Sequence, residues 1–297
     1  MTGDELEPVF YSSPVTRQRF CKEMTFPRAK KRLGQNFLVD EAYARRVVGA
    51  LAPREGETVV EIGPGRGALT ALLLESGARV VAVEFDRDLV ALLVERFGGR
   101  GNFTLVKADA LEVDFCSAVE PATSARVVAN LPYNISTAIL QKLIEQRRCV
   151  AEMILMLQRE VVERIAAPPG SSERGYLTVL VEAFCEASPL FDVPPGAFRP
   201  VPKVWSTVAR LQVREGAAAF DDEGLFLRVV GAGFAQKRKT IFNNLRAAPA
   251  DLRALAEAAG GPAAVLEAAG IDPRRRAEAL TLAEWGALAK ALGRLAP

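Results

Sequence analysis

Between residues 56 and 157, short β-branched runs alternate with stretches whose apolar positions recur at helical spacing. That alternation is the pattern of βαβ units and a parallel sheet. Strands are predicted over 58–62, 79–84, 103–106, 126–130 and 153–157. Helices are predicted over 69–74, 86–97 and about 136–146, with Asp86 placed to cap the second. A helical stretch then runs to Ile165, a Pro-Pro-Gly-Ser-Ser loop follows, and a further apolar helix spans about 176–184. After a proline-rich loop over 194–202, the alternation over 205–213 reads as a last strand. The texture turns alanine-rich and polar around 214–222, and the remainder reads as helical. It ends in Thr281-Leu282-Ala283-Glu284, a capping box opening an amphipathic helix that contains Trp285.

Three segments follow from this pattern: a disordered leader over 1–26, a first domain over 27–215 and a small helical C-terminal domain over 216–297. The leader lacks the apolar core of a secretory signal, and no apolar run approaches the ~18 residues of a membrane span. A cytoplasmic protein with no membrane partner is expected, and a monomer. Cys21, Cys116, Cys149 and Cys185 are scattered without a C-x-x-C pair, so reduced thiols are expected, with neither a disulfide framework nor a metal site. The chain has no histidine, which removes histidine triads, histidine general bases and His-containing zinc sites. Net charge is only +2, yet the cations cluster at Arg28, Lys30, Lys31 and Arg32, at Lys237, Arg238 and Lys239, and at Arg274 to Arg276. The first two clusters point to phosphate contacts with a nucleic acid, the third to solvated surface.

Candidate chemistry concentrates at the ends of the predicted strands. Glu61-Ile62-Gly63-Pro64-Gly65-Arg66-Gly67 follows the first strand and opens a helix, its glycines letting the backbone turn tightly and approach a ligand. Glu84 closes the next strand, where a carboxylate can accept from both hydroxyls of a ribose, and Asp109 after the third is placed to take an adenine amine. The acidic strand ends and the E-x-G-x-G-x-G loop resemble class I S-adenosylmethionine-dependent methyltransferases, which implies a Rossmann-like α/β domain with a mainly parallel sheet.

At the end of the fourth strand stands Asn130-Leu131-Pro132-Tyr133. An amide, a kinked backbone and an aromatic ring in succession suit the exocyclic amine of a base taken out of its stack. With Asn134-Ile135-Ser136 the stretch resembles the signature of the ribosomal RNA adenine dimethyltransferases. Three other segments are similar to that family: Leu33-Gly34-Gln35-Asn36-Phe37-Leu38, the loop from Phe198 to Ser206, and Lys237-Arg238-Lys239-Thr240.

The resemblance implies cofactor contacts at Asn36, Leu38, Gly63, Gly65, Glu84, Asp109 and Asn130, with S-adenosyl-L-methionine as cofactor. It implies that Asn130 and the Leu131 carbonyl accept from the adenine N6 hydrogens, with Pro132 aiming that carbonyl. Tyr133 and Phe198 would flank the base, and the substrate would be 16S ribosomal RNA in the small subunit, dimethylated at two adjacent adenosines near its 3′ end. Direct displacement from a sulfonium needs positioning more than a general base, in keeping with the missing histidines. Three alternatives stand beside this reading: a 23S ribosomal RNA methyltransferase conferring macrolide resistance, a small-subunit assembly factor whose methylation is secondary, and, ranked last, a DNA adenine methyltransferase.

Overall fold

The structure, a computed structural model, describes residues 10–11, 27–214 and 220–293. In chain order come β1 (Phe10–Tyr11), β2 (Phe37–Leu38), α1 (Glu41–Leu51), β3 (Thr58–Ile62), α2 (Ala68–Glu75), β4 (Arg79–Glu84), α3 (Arg87–Phe97) and β5 (Phe103–Lys107). Next are α4 (Phe115–Ala118), β6 (Ala125–Asn130), α5 (Ser136–Glu145), β7 (Val150–Gln158), α6 (Arg159–Ile165), α7 (Tyr176–Phe184), β8 (Cys185–Val193), β9 (Phe198–Arg199) and β10 (Ser206–Val213). Five helices close the chain: α8 (Glu223–Phe234), α9 (Ile241–Arg246), α10 (Ala250–Ala258), α11 (Pro262–Ala268) and α12 (Leu282–Gly293).

The chain divides into two compact units, one of residues 1–162 and 188–213, the other of 163–187 and 214–297. Segment 163–187, assigned on sequence to the first domain, therefore groups with the C-terminal helices; its apolar helix α7 packs on α8. Most of the leader lies outside the described residues, but Phe10–Tyr11 pairs antiparallel with β5, so the leader is not structureless throughout.

The first unit is built on a sheet of order β1-β5-β4-β3-β6-β7-β10-β8. Strands β5, β4, β3, β6 and β7 run parallel, and β10 returns antiparallel to β7. The central strands are buried on both faces, hence their near-continuous Val and Ile runs. Asp40 caps α1 by accepting from the backbone of Ala42 and Tyr43, and Asp86 caps α3 through Asp88. From β3 the sheet grows one way through β4 and β5 and the other way through β6 and β7. The gap between β3 and β6 is thus the switch point outside whose strand ends such sheets bind ligands.

Six elements lie outside those predicted: β1, β2, α1, α4, β8 and β9. β8 is polar and contains Pro189, which its place at the sheet's edge tolerates. β2 and β9, two residues each, pair only with one another and are too short for any periodicity.

The second unit is helical around Trp285, which is fully buried between α8 and its own helix. A Cβ at Gly233 would lie 2.3 Å from the Trp285 ring, so glycine is required there by space. The capping box forms: Glu284 accepts from Thr281 N at 2.8 Å and the Thr281 hydroxyl accepts from Glu284 N at 3.3 Å. The cluster at Arg274 to Arg276 is paired with Asp272, Glu284 and Glu278.

The expectation of reduced thiols is also overturned. Cys116 and Cys149 form a disulfide, their Cα atoms 5.3 Å apart across 33 residues of sequence. The turn after β5 folds α4 back against the segment following α5, a proximity no cysteine spacing announces. Cys185 is free and buried, and Cys21 lies outside the described residues.

Candidate active site

Strands β3 and β6 are neighbours in parallel register, Ile62 opposite Ala129, so the glycine loop and the Asn130 turn leave the sheet side by side. Val83 faces Ile62 from the other side, which brings Glu84 alongside. Gly63, Gly65, Glu84, Asp109, Asn130, Leu131, Pro132 and Tyr133 line a single cleft at this point, together with Asn36 from the segment before β2.

All three loop glycines have left-handed backbones, with φ of 66° at Gly63, 58° at Gly65 and 80° at Gly67, which a side chain would strain. A Cβ at Gly63 would meet nothing within 4 Å, whereas one at Gly65 would lie 3.0 Å from the Phe37 ring. Gly63 thus leaves open space toward the cleft, and Gly65 admits the N-terminal segment over the loop. Arg66 fastens that segment, stacking over Phe37 and donating to the Pro27 carbonyl at 2.8 Å.

Glu84 is almost fully buried and accepts from the backbone of Asp86 at 2.8 Å and of Gly65 at 3.3 Å. Burial outweighs these bonds and pushes its carboxyl up to about 7. Glu61, one strand over, is also pushed up to about 7 by burial, against a 2.6 Å hydrogen bond donated by the Thr70 hydroxyl. A buried carboxylate with spare acceptor capacity beside an open glycine turn suits a ribose better than a phosphate. Asp109 holds its own turn by accepting from Leu111 N at 2.9 Å.

The Asn130 amide has a defined orientation. Its Nδ2 donates to the Asn36 carbonyl at 3.0 Å, and only the NH₂ end can satisfy a carbonyl. The Oδ1 is thereby left as the end able to accept from a ligand. The Leu131 N–H is tied to Met156 O of β7 at 3.3 Å, and the Pro132 carbonyl accepts from Ile135 N at 3.2 Å, which fixes the turn. Gly34, with φ of 63°, packs so closely that a Cβ would come within 2.6 Å of the Asn134 side chain. The Tyr133 hydroxyl shares a 2.9 Å hydrogen bond with Ser206 Oγ at the start of β10, and burial pushes the phenol up, so it stays protonated.

Other expected residues fall elsewhere. Leu38 and Phe198 are cross-strand partners in the β2–β9 pair and sit in the core, Phe198 only 1% exposed; neither lines the cleft. Phe198 therefore offers no face to a base in this conformation, because the two-residue strand turns its side chain inward. Lys30 is held by Asp86 and by Asp88 at 2.7 Å, and these carboxylates, Asp86 foremost, raise its pKa. It clamps the N-terminal segment to α3, while Arg28, Lys31 and Arg32 are exposed and Arg32 reaches the cleft. Lys237, Arg238 and Lys239 are exposed ahead of α9 in the second unit. Sequence reasoning missed Phe85, a half-exposed aromatic lining the cleft just after Glu84, and Ser206 behind Tyr133. An apolar aromatic directly after an acidic strand end was the available sign for Phe85; Ser206 had none.

Residues 27–287 match the family described as ribosomal RNA adenine dimethylase. The chain belongs to this family. Its members similar to the chain include ribosomal RNA small subunit methyltransferase A of Xanthomonas campestris pv. campestris, 47% identical over 88% of this chain and 95% of that protein. The protein of the same description from Pseudomonas aeruginosa is 45% identical over 90% and 96%. Among solved structures, a dimethyladenosine transferase from Plasmodium falciparum superposes with a TM-score of 0.70 at 25% identity, covering 84% of this chain and 95% of that one. The 23S rRNA methyltransferase ErmE gives 0.61 at 27% identity, covering 86% and 99%. The Rossmann-like sheet with a helical C-terminal part is shared with these family structures, and the chain is a methyltransferase of the adenine dimethylase kind. Among the described residues no helix is long and apolar enough to cross a membrane.

Proposed function

We propose that the protein transfers methyl groups from S-adenosyl-L-methionine to N6 of two adjacent adenosines near the 3′ end of 16S ribosomal RNA, during assembly of the small subunit in the cytoplasm. The orientation of the Asn130 amide carries this reading. Nδ2 is spent on Asn36, so Oδ1 is the acceptor offered to the cleft, as an adenine amine requires.

In this reading Glu84 accepts from the ribose hydroxyls of the cofactor, Gly63 and Gly65 let its chain pass the loop, and Asp109 takes its adenine amine. Bound there, S-adenosylmethionine supplies an electrophilic methyl group on a sulfonium. The adenine N6 lone pair is delocalised into its ring and is a poor nucleophile. In the first transfer Asn130 Oδ1 and the Leu131 carbonyl each accept one N6 hydrogen, and in the second one of them accepts the hydrogen that remains, turning the lone pair out of the ring plane. Pro132 and the Ile135 hydrogen bond hold that carbonyl in place. Tyr133, anchored through its hydroxyl by Ser206, presents its ring to the base. As N6 bonds to the methyl the sulfur–carbon bond would break, leaving S-adenosylhomocysteine, and the N6 proton made acidic by the new bond would pass to water; the work is positioning and electrostatics, so no titrating side chain is needed.

The small-subunit reading is favoured over large-subunit resistance by the 45–47% identity to proteins described as small subunit methyltransferases, against 27% for the 23S enzyme. Labelled S-adenosylmethionine offered in parallel to unmodified small subunits and to large-subunit RNA, followed by nucleoside analysis, tests it. Dimethyladenosine confined to the small subunit is the expected result, and label in large-subunit RNA would assign the chain to the resistance enzymes.

A further inference from the structure

Two large aromatic side chains are exposed among the hydrophobic residues described, Phe85 and Trp205. Phe85 lines the cleft; Trp205, 45% exposed, has no part in the chemistry above. It stands in a run where exposed Val201, Val204 and Trp205 are interleaved with exposed Arg199 and Lys203. Cations alternating with an aromatic on a surface loop is how unpaired nucleic acid is held, the charges following the backbone and the ring taking a base face.

The ring is held in place. The Trp205 carbonyl accepts from Arg159 N at 3.0 Å at the end of β7, and the Arg159 guanidinium lies 5.1 Å from the ring centroid, itself fixed by an ion pair with Asp192. The very next residue is Ser206, whose Oγ anchors Tyr133. Trp205 is therefore one residue removed from the group that sets the proposed base platform, and it faces solvent where Ser206 faces inward.

We infer that Trp205 is a stacking platform for the unpaired nucleotide next to the flipped adenine on the same RNA strand. Taking a base out of its stack strips its neighbour of a stacking partner, and an exposed aromatic face on the residue before Ser206 offers one in its place. With two adjacent adenosines as targets, one would rest on Trp205 while the other occupies the cleft. The inference rests on the small-subunit RNA reading above.

The chain has only two tryptophans, and Trp285 is fully buried in the other unit, so a change of fluorescence on binding reports on Trp205. The probe is a hairpin RNA whose loop carries two adjacent adenosines. We expect it to quench the wild-type emission and to leave Trp205→Phe unquenched. With unmodified small subunits, Trp205→Ala should raise KM roughly 5- to 100-fold, the range of a lost base–aromatic stack. Trp205→Phe should restore most of it, and kcat and cofactor affinity should barely move. An unchanged KM in Trp205→Ala overturns the inference. So does quenching by small subunits but not by the hairpin, which would assign Trp205 to a ribosomal protein. Asn130→Ala on the same subunits separates the two levels. Full methylation by that variant would remove the underlying reading, whereas loss of methylation there with normal Trp205→Ala kinetics removes only the stacking role.

Discussion

If Glu84 holds the cofactor ribose as proposed, cofactor affinity should depend on pH with a sign set by its burial. A ribose hydroxyl can donate to both oxygens only when the carboxyl is ionised, and burial pushes that ionisation up to about 7 in the cofactor-free protein. Roughly a tenth of the molecules are then ionised at pH 6 and roughly nine tenths at pH 8, so affinity should rise about tenfold across that interval and level off above it. The ligand to use is 5′-methylthioadenosine, which keeps the ribose and adenine but lacks the amino-acid group that would itself titrate. Calorimetric titrations at pH 6, 7 and 8 in two buffers of different ionisation enthalpy would show the slope and, below pH 7, release of a proton on binding. Glu84→Gln should bind roughly 10- to 100-fold more weakly at pH 8, the range of hydrogen bonds to a charged acceptor, with the slope gone. Glu61 is displaced to a similar value but is engaged by Thr70, so Glu61→Gln should keep the slope. A flat wild-type profile, or an equal slope in Glu84→Gln, would refute the reasoning. Stability runs the other way. Both carboxyls are raised above their unfolded value, so the stability they contribute is fully present below about pH 4.5 and is lost as pH rises through about 7.

Other outcomes follow from single contacts. Asn130→Ala should lower kcat by about 10²- to 10³-fold, as loss of one preorganised polar group does, with a much smaller change in cofactor affinity; single-turnover methylation shows which of the two moves. Neutralising Lys237, Arg238 and Lys239 together should flatten the salt dependence of RNA binding by up to about 2–3 units of log–log slope, and an unchanged slope would assign these exposed residues to plain surface. Gly233→Ala forces a methyl group to within 2.3 Å of the Trp285 ring, and thermal unfolding should report about 1–3 kcal/mol lost, or more if the helices cannot separate. Thiol titration of the unreduced, unfolded protein should leave Cys116 and Cys149 unlabelled; labelling of all four cysteines would contradict the disulfide.

The parts of this protein that could be read from the chain are those in which the signal is local. The runs of β3 and β4 are buried on both faces, so β-branched and apolar residues dominate them, and a charged residue at or near the end of each marks where it leaves the sheet. Glycines at Gly63, Gly65 and Gly67 mark backbone that other residues strain to adopt, and the capping box at Thr281 lies within four residues. Asn130 to Tyr133 carry a motif specific enough to point to an amine-handling site. Tertiary structure alone decided the rest, since it depends on which distant segments meet. It closed Cys116 on Cys149, committed Lys30 to Asp86 and Asp88, and turned Leu38 and Phe198 into the core by pairing two strands of two residues each. It also set the direction of the Asn130 amide, because the carbonyl that receives its Nδ2 belongs to Asn36, 94 residues earlier. An asparagine in a sequence offers both a donor and an acceptor; only a fixed neighbour determines which of them a substrate meets.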